Sequence, residues 1–393
     1  MGFLIANPNY RELLERHGLD SAERLASLPG LIVTGHPGRN VARVAVGGLT
    51  AYLKREHRVL WRDRLLSAVA GFGFASLAGR EAQTLAALRT AGVACPECMA
   101  AGEDKQGRAF LLLAALPDAV DLRQFLRDRR GLPPGQRYRF ARNLGAALSV
   151  IHEAGFDHPD LYAKHVLVAA ATERCYFLDW QRSRRRRRVG WRERVRDLAA
   201  LDATLAEEFA TGRERLACLR GYLGASTALG VTAKRAAFDI RRAAERLLGR
   251  RHIRKERATP PPVAGQGILW LDGEALCVTQ AFWREVGGAV PPWLPLPAAA
   301  RGTSRSEVAL PRGRRGLLVR RWCDRPLAWL WCAFRRRPLL SPELRDAGDL
   351  FRRQKHGLAA PRVLAFGQRR PRPWRTESFL LTEIDGPDEG RPR

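Results

Sequence analysis

The chain has 393 residues, enough for two or three compact domains, and 46% of them are hydrophobic, which excludes a polypeptide disordered overall. The formal net charge of +28 comes almost entirely from Arg, and indicates either affinity for polyanions or a compositional bias. Seven scattered Cys residues favour a reducing compartment, and Cys95-Pro-Glu-Cys98 has no second pair to complete a metal site. We expect no signal peptide at the N-terminus, and the apolar stretch from Leu65 to Gly79 is too short to span a bilayer.

The first third of the chain is rich in predicted strands. A helical leader occupies residues 1–30, and two strands, Val41–Val46 and Leu49–Lys54, follow, joined by a tight turn at Gly47-Gly48. A helix is predicted over 77–89, and Phe110 begins a buried strand.

The next part of the chain is mainly helical. Helical structure begins at Asp121, and apolar residues recur at helical spacing from Gln136 to His152, where Gly155 ends the run. Residues 196–251 are again helical, and Pro260-Pro261-Pro262 predicts a linker. A strand-rich lobe therefore precedes a helical lobe.

An internal repeat follows the predicted linker. Arg80-Glu81-Ala82, with Leu85, Gly92 and Pro96, has counterparts at Arg345-Asp346-Ala347, Leu350, Gly357 and Pro361, all at an offset of about 265 residues. Phe110-Leu-Leu-Leu likewise matches Phe379-Leu-Leu-Thr, and we expect Arg320 to stand opposite Lys54. The sequence ends without a second His-x-Asp triplet, so it contains one catalytic motif.

The residues after the long predicted helix favour metal-assisted phosphoryl transfer. His158-Pro159-Asp160 is followed five residues later by His165, and Asp179 ends an apolar strand. Such chemistry needs one carboxylate to orient the attacking hydroxyl and another to hold Mg²⁺ against the nucleotide phosphates. Asp160 is predicted for the first role and Asp179 for the second. Lys54, at the end of a strand, could reach the phosphates with its ammonium group.

These motifs resemble the lipopolysaccharide core heptose/Kdo kinase family, a bacterial branch of the protein-kinase-like fold. The resemblance spans roughly residues 31–255. It rests on Tyr52-Leu-Lys54-Arg55, Arg80-Glu81-Ala82, His158-Pro-Asp160-Leu-Tyr-Ala-Lys-His165, Leu178-Asp179-Trp-Gln-Arg182, Arg196-Asp197-Leu and Leu219-Arg-Gly-Tyr222. Residues 310–386 resemble the first lobe of the same family.

The resemblance implies an α+β, bilobal protein-kinase-like fold, with a β-rich N-lobe and a helical C-lobe, plus a second partial N-lobe. The expected divisions are a leader at 1–30, an N-lobe at 31–117, a C-lobe at 118–257, a linker and entry segment at 258–309 and a truncated second N-lobe at 310–393. It implies a kinase that uses ATP and Mg²⁺ to phosphorylate a sugar hydroxyl, heptose or Kdo, of a glycolipid. The protein would then be cytoplasmic, either free or peripheral on the inner membrane.

The resemblance also assigns roles to single residues. Glu81 would pair with Lys54, and main-chain groups of Ala114, Ala115 and Leu116 would meet the adenine. His158 and His165 join Asp160 in the predicted catalytic set. His165 either takes part in metal binding or hydrogen-bonds phosphate or Asp160, because Mg²⁺ prefers oxygen to imidazole. Asp197 would brace the catalytic loop.

Two departures from protein kinases stand out. Pro159 replaces the Arg that would bind a phosphorylated activation loop, so we expect no such switch. The segment Gly35-His-Pro-Gly38-Arg-Asn is a degenerate match to a glycine-rich phosphate cradle.

Basic residues surround these motifs. An unbroken run, Arg184, Arg185, Arg186, Arg187 and Arg188, is either a solvated loop or the recognition site of an anionic acceptor such as a glycolipid headgroup. Two apolar, Arg- and Trp-containing inserts, 61–74 and 326–337, either pack against their lobes or settle at a membrane interface.

Two other functional classes compete with a kinase. A non-catalytic kinase-like scaffold or regulator, which binds nucleotide or an anionic membrane, is favoured by the second unit without carboxylate motifs. A nucleic-acid-binding protein is suggested by charge alone. The Arg run has no interleaved aromatic residues and no recognised motif, so we expect no specific nucleic acid partner.

Overall fold

A computed structural model describes residues 2–36, 38–226, 230–250, 253, 267–294, 302–334, 339–355 and 358–384. Its contacts divide the chain into two compact units. Unit 1 comprises residues 1–28 and 44–261, and unit 2 comprises residues 29–43 and 262–393. The N-lobe expected at 31–117 and the C-lobe expected at 118–257 therefore belong largely to one unit, while residues 29–43 group with the other.

Unit 1 begins with an antiparallel sheet whose strands follow the order β1-β5-β6-β4-β3. The strands are β1 Phe3–Ala6, β3 Arg39–Val46, β4 Leu49–Glu56, β5 Cys98–Glu103 and β6 Ala109–Ala114; β2, Leu31–His36, pairs with the first half of β3. Gly47 and Gly48 both have positive φ, +56° and +82°, which confirms the predicted tight turn. The expectation of a purely helical leader was wrong, because β1 pairs with β5 as a strand of this sheet.

Four helices accompany this sheet: α1 Pro8–Arg16, α2 Ala22–Ser27, α3 Trp61–Val69 and α4 Leu77–Thr90. The side chain of Ser76 caps the N-terminus of α4 by accepting from Gly79 N, 3.2 Å away. The carboxylate of Glu56, from the end of β4, also accepts a hydrogen bond from Ala78 N at the start of α4. These bonds fix the start of α4, which buries Arg80 and Glu81 on its inner face.

The helical lobe of unit 1 surrounds a small three-stranded sheet, β7-β8-β9. Its elements are β7 Ala119–Asp121, α5 Leu122–Asp128, α6 Pro134–Glu153, β8 Val166–Ala169, β9 Cys175–Phe177, α7 Trp191–Thr204, α8 Gly212–Gly224 and α9 Ala233–Leu248. Helices α6 and α8 approach closely at Gly145, where a Cβ atom would lie 1.9 Å from the carbonyl oxygen of Cys218. One hydrophobic core runs from Leu85 and Leu111 to Leu144 and Trp180, so the two lobes of unit 1 share it.

Unit 2 contains a second antiparallel sheet, ordered β10-β11-β14-β15-β13-β12. Its elements are β10 Ile268–Asp272, β11 Leu276–Thr279, α10 Gln280–Glu285, β12 Gly302–Ala309, β13 Arg315–Asp324, α11 Pro326–Phe334, α12 Pro342–Lys355, β14 Val363–Arg372 and β15 Arg375–Ile384. Within the predicted linker and entry segment at 258–309, residues 267–294 and 302–309 contain strands β10, β11 and β12 and helix α10. Apolar residues of β10, β11 and α10 are buried in the core of unit 2. The triple-proline segment lies outside the described residues.

The two sheets share a succession of elements. In unit 1, β4 is followed by α3, α4, β5 and β6, with spatial order β5-β6-β4-β3. In unit 2, β13 is followed by α11, α12, β14 and β15, with spatial order β14-β15-β13-β12. The repeat residue Gly357 lies outside the described residues.

The strand register corrects one expected correspondence. Lys54 pairs with Leu111, the residue after Phe110, and Val319 pairs with Leu380, the residue after Phe379. With Phe379 matched to Phe110, as the predicted repeat has it, the strand register sets Val319 and not Arg320 opposite Lys54. Arg320 instead donates to the carbonyl oxygen of Trp293.

Within the described ranges, no helix is both long and apolar enough to cross a bilayer.

Candidate active site

An ion pair joins β4 to α4. Lys54 Nζ lies 2.7 Å from Glu81 Oε1, so the pairing that the resemblance implies is present. The same Glu81 oxygen accepts from the main-chain N–H of Trp180, 3.3 Å away. One buried carboxylate thus connects the lysine strand to the segment that follows Asp179.

A second link runs parallel to the first. Arg80, next to Glu81 on α4, is buried and donates through Nη2 to the carbonyl oxygen of Ser183 at 2.6 Å. Its guanidinium also lies 4.9 Å from the ring centroid of Phe72. Burial lowers the pKa of Arg80, and Arg184 adds to the effect. Helix α4 is therefore fastened at two consecutive residues to the chain after Asp179.

The catalytic motif forms a loop between α6 and β8. Asp160 is buried, and Arg182 Nη1 lies 2.8 Å from its Oδ1. A single 3₁₀ turn, Ala163–His165, follows and brings the imidazole of His165 back toward Asp160. The ion pair fixes one carboxylate oxygen of Asp160 and holds its plane.

His165 lies between the two predicted carboxylates. Its Nδ1 donates to the main-chain oxygen of Asp160 at 2.7 Å, and its Nε2 lies 3.7 Å from Asp179 Oδ2. Burial lowers the pKa of His165 despite the opposing attraction of Asp179, which favours the neutral ring. The hydrogen bond to Asp160 uses the Nδ1 proton, so the lone pair of Nε2 faces the carboxylate of Asp179.

Asp179 has the donor chemistry that a hard cation requires. Its φ of +64° is left-handed, and Gln181 Nε2 donates to its Oδ1. The Nε2 nitrogen of His165 lies 3.7 Å from the other carboxylate oxygen, Oδ2. Within the described part of the chain, no group of three His, Cys, Asp or Glu side chains could hold a metal. Mg²⁺ is commonly held by one or two carboxylates with water and substrate phosphates, so Asp179 fits this ion.

His158 occupies a different position from the rest of its predicted set. Its ring is buried against Trp180, with centroids 4.4 Å apart, and Nε2 lies 2.8 Å from the carbonyl oxygen of Leu178. This bond joins the loop of Asp160 to the strand end at Asp179. His158 thus holds the loop in position through this bond, and its place in the catalytic set stays a prediction.

Two buried aspartates, Asp197 and Asp157, hold the loop and the segment beside it through hydrogen bonds. Asp197, on α7, accepts from His158 N at 2.5 Å and from Arg196 Nε at 2.8 Å. Burial alone would raise its pKa, but the hydrogen bond from His152 and the charge of Arg196 hold the pKa below its usual value. Asp157 Oδ1 accepts from Arg184 N at 2.7 Å. The brace expected of Asp197 is thus matched by a direct contact with the loop.

The five-Arg run is anchored by its main chain. Arg186 N donates to Gly155 O at 2.7 Å, and Arg185 forms a β-bridge with Phe156. The side chain of Arg186 lies 3.5 Å from Asp157 Oδ2, whereas Arg184, Arg185, Arg187 and Arg188 are exposed. The run is therefore a fixed basic edge next to the catalytic loop.

The segment between the lobes offers one main-chain donor. Ala114 N donates to Glu97 O at 2.9 Å and Ala115 N to Thr50 O at 3.1 Å. Leu116, half-buried, is the residue of this predicted adenine-binding segment whose N–H makes no hydrogen bond to another described residue. The degenerate phosphate cradle forms the turn between β2 and β3, which groups with unit 2, and Pro37 within it lies outside the described residues.

Sequence reasoning missed three residues that the structure brings to the site. Arg182 and Arg80 stand inside quoted motifs without an assigned role, and Asp157 directly precedes His158. Each acts through a contact with a residue 22 to 103 positions away. A pattern of neighbouring residues contains no signal for such pairs.

Comparison with known proteins identifies relatives of this chain. Residues 36–222 match the model of the lipopolysaccharide kinase (Kdo/WaaP) family. The lipopolysaccharide core heptose(I) kinase WaaP of Pseudomonas aeruginosa is 30% identical over an alignment of 222 residues, and the match covers 52% of this chain and 81% of that protein. A solved structure of WaaP in complex with acyl carrier protein gives a TM-score of 0.47 at 26% identity, covering 62% of this chain and 99% of that one. The kinase domain of PknI from Mycobacterium tuberculosis gives 0.31 at 16% identity, covering 55% and 94%.

The protein is thus a phosphotransferase with an α+β, protein-kinase-like fold. The chain belongs to the lipopolysaccharide kinase (Kdo/WaaP) family, and it is a kinase that phosphorylates a sugar hydroxyl.

Proposed function

We propose that this protein uses ATP and Mg²⁺ to phosphorylate a heptose or Kdo hydroxyl of a lipopolysaccharide-type glycolipid. The observation that carries the proposal is the convergence of Asp160, His165 and Asp179 within one loop and strand end, braced by Asp197. The heptose kinase WaaP, 30% identical to this chain, supports the choice of acceptor. Such an acceptor is lipid-linked, so the protein would work at the cytoplasmic face of the inner membrane.

Asp160 would act on the acceptor. Arg182 holds its Oδ1, so Oδ2 is the oxygen that would take the hydroxyl proton. As that proton leaves, the sugar oxygen forms a bond to the γ-phosphorus and the bond from phosphorus to the departing ADP oxygen breaks. His165 positions the main chain of Asp160 through its Nδ1 proton.

Three further groups would hold the nucleotide and its metal ion. Asp179 would hold Mg²⁺, which neutralises charge on the phosphates when bound. Lys54 shares one of its three ammonium protons with Glu81 and would offer the others to phosphate oxygens. The N–H of Leu116 would donate to the adenine. Exposed guanidinium groups of the Arg184–Arg188 run would meet an anionic group of the acceptor.

Unit 2 would not transfer phosphate. We propose that it is a second, partial N-lobe, because it repeats the succession of strands and helices that follows β4. Val319 replaces the lysine there, and an isopropyl group has no charge to offer a phosphate.

The test is ATP consumption by the purified full-length protein with lipid-linked saccharides that end in heptose or Kdo. Asp160→Asn and Asp179→Asn are each expected to lower turnover by at least about a thousandfold, because each removes a charge from the reacting centre. Asp128→Asn, an exposed substitution on α5, serves as the matched control and should leave turnover unchanged. Undiminished turnover by Asp160→Asn would refute the mechanism, and turnover of neither saccharide would refute the acceptor class.

A further inference from the structure

Helix α11 presents an apolar face to solvent. Leu327, Leu330, Trp331 and Phe334 are 80%, 55%, 56% and 83% exposed. Their spacing of three, four and seven residues places them on one side of the helix. No residue of Pro326–Phe334 is charged. A contiguous exposed stripe of this kind marks an interaction surface rather than scattered surface residues.

The opposite side of α11 is already packed. Trp329 makes an edge contact with Trp374, with ring centroids 6.1 Å apart, and Ala328 and Cys332 are half-buried. Before the helix, Arg325 N donates to Trp374 O at 2.8 Å and Arg325 Nη1 to Leu340 O at 3.1 Å. These contacts fix the orientation of α11 about its own axis. The exposed stripe is therefore a separate face of the helix from the one that packs.

Helix α3 of unit 1 shows the same feature at the equivalent place in the chain. It follows β4 and precedes α4, as α11 follows β13 and precedes α12. Trp61, Leu65 and Val69 are exposed at intervals of four residues. Arg64 holds the helix by donating to the carbonyl oxygen of Phe74 at 2.8 Å. Two separately folded sheets therefore each carry a fixed helix with an exposed, Trp-containing apolar stripe.

Charge identifies the partner of this surface. Arg325 precedes α11, and the sequence continues with Arg335-Arg336-Arg337, which lie outside the described residues. A second copy of the chain on this face would bring together two chains of net charge +28, at a cost in repulsion. An anionic lipid surface suits both features, because apolar side chains enter the acyl boundary, Trp settles at the headgroup level and Arg meets phosphate.

We propose that α11 docks this protein on an anionic lipid bilayer. Nine residues of helix span about 14 Å, less than half of a hydrocarbon core of about 30 Å, so α11 lies in the plane of the interface. The stripe from Leu327 to Phe334 enters the membrane, and Arg325, which precedes the helix, contacts lipid phosphate. This surface contains none of the residues assigned to phosphoryl transfer, so the two proposals fail independently.

The test is co-sedimentation of the full-length protein with phosphatidylcholine vesicles that contain about 30% phosphatidylglycerol, or none. The triple variant Leu327→Ser, Trp331→Ser, Phe334→Ser should lower the partition coefficient on the anionic vesicles by at least about tenfold. Phe238→Ser, which removes an exposed aromatic residue from α9, should leave it unchanged. Because all the replaced side chains are exposed, the thermal midpoint of each variant should match that of the unmodified protein.

Three results would overturn the proposal. The first is equal binding of the triple variant and the unmodified protein, both at low salt and at 0.5 M NaCl, which means that the apolar stripe does not hold the protein on the vesicles. Equal binding to vesicles without phosphatidylglycerol removes the anionic partner. In the third result, the unmodified protein does not bind vesicles but sediments as a dimer, and the triple variant sediments as a monomer. That result identifies a second copy of the chain as the occupant of the stripe.

Discussion

The pair formed by Lys54 and Glu81 allows a quantitative test of the site. At 2.7 Å, and with an effective dielectric constant of about 20, the gross attraction between the two charges is about 6 kcal/mol. Desolvation of Glu81, whose side chain is 4% exposed, offsets much of it, and Lys54 remains 27% exposed. We therefore expect a net coupling of about 2 kcal/mol between the two side chains. Lys54→Met should be the more damaging single change, because it leaves a buried carboxylate with only the N–H of Trp180.

The coupling is measured by a double-mutant cycle of urea unfolding with Lys54→Met, Glu81→Gln and the double variant. The control is the exposed pair Arg241–Glu245 on α9, where the coupling should be at most about 0.5 kcal/mol. Single variants of the buried pair should also lose at least about a hundredfold in kcat/KM. Additive effects of Lys54→Met and Glu81→Gln on unfolding, within about 0.3 kcal/mol, would refute the reasoning.

Three further predictions concern the rest of unit 1. Gly145→Ala should destabilise the protein by about 3 kcal/mol or more in urea unfolding, since its Cβ would lie 1.9 Å from a main-chain carbonyl oxygen of α8; Gly135→Ala, with open space around it, should not destabilise. Burial raises the pKa of both Cys95 and Cys98 to about 12, so iodoacetamide at pH 8 should modify neither thiol in the folded protein and both in urea, as read by mass spectrometry. Burial lowers the pKa of His152 below its usual value of about 6.5. The buried neutral ring therefore contributes full stability above about pH 6.5, and this contribution is lost as the pH falls below that value, because the unfolded chain takes up the proton first. The urea midpoint should decline from pH 7.5 to pH 5.5, and His152→Gln should flatten that decline.

Local patterns predicted the elements that hold the site. Period and end signals gave α4 and α6 nearly to the residue, since Gly92 and Gly155 take positive φ where the helices stop. The turn at Gly47-Gly48 was equally clear, because few other residues adopt that conformation. These features depend on interactions within a few residues, which a sequence displays directly.

The site was predictable as a set of residue types but not as a set of contacts. Asp160, His165 and Asp179 come together as the spacing indicates, but the spacing did not indicate the bond from His158 to the main-chain oxygen of Leu178. Whether an imidazole faces a cleft or a main-chain carbonyl depends on packing against Trp180, which no local pattern encodes. No local pattern predicted the role of Arg182 either, because its contact depends on how the folded chain packs.

The one-residue difference that sets Val319 rather than Arg320 opposite Lys54 has a different cause. Side chains alternate between the two faces of a strand, so an error of one residue in alignment exchanges the faces. In the run Leu317-Leu318-Val319-Arg320-Arg321, the basic residues Arg320 and Arg321 both offer a match to Lys54 when sequences alone are aligned. Pairing with Leu380 fixes the register instead.

The double fastening of α4 bears on the thermodynamics of nucleotide binding. Glu81 and Arg80 hold the helix to Trp180 and Ser183 without any ligand, so the lysine is already oriented when a nucleotide arrives. Such preorganisation removes the ordering entropy from the binding step and places it in folding. Saturation by nucleotide should accordingly leave hydrogen exchange at the Trp180 amide nearly unchanged, and the heat capacity change of binding should reflect the buried ligand surface alone.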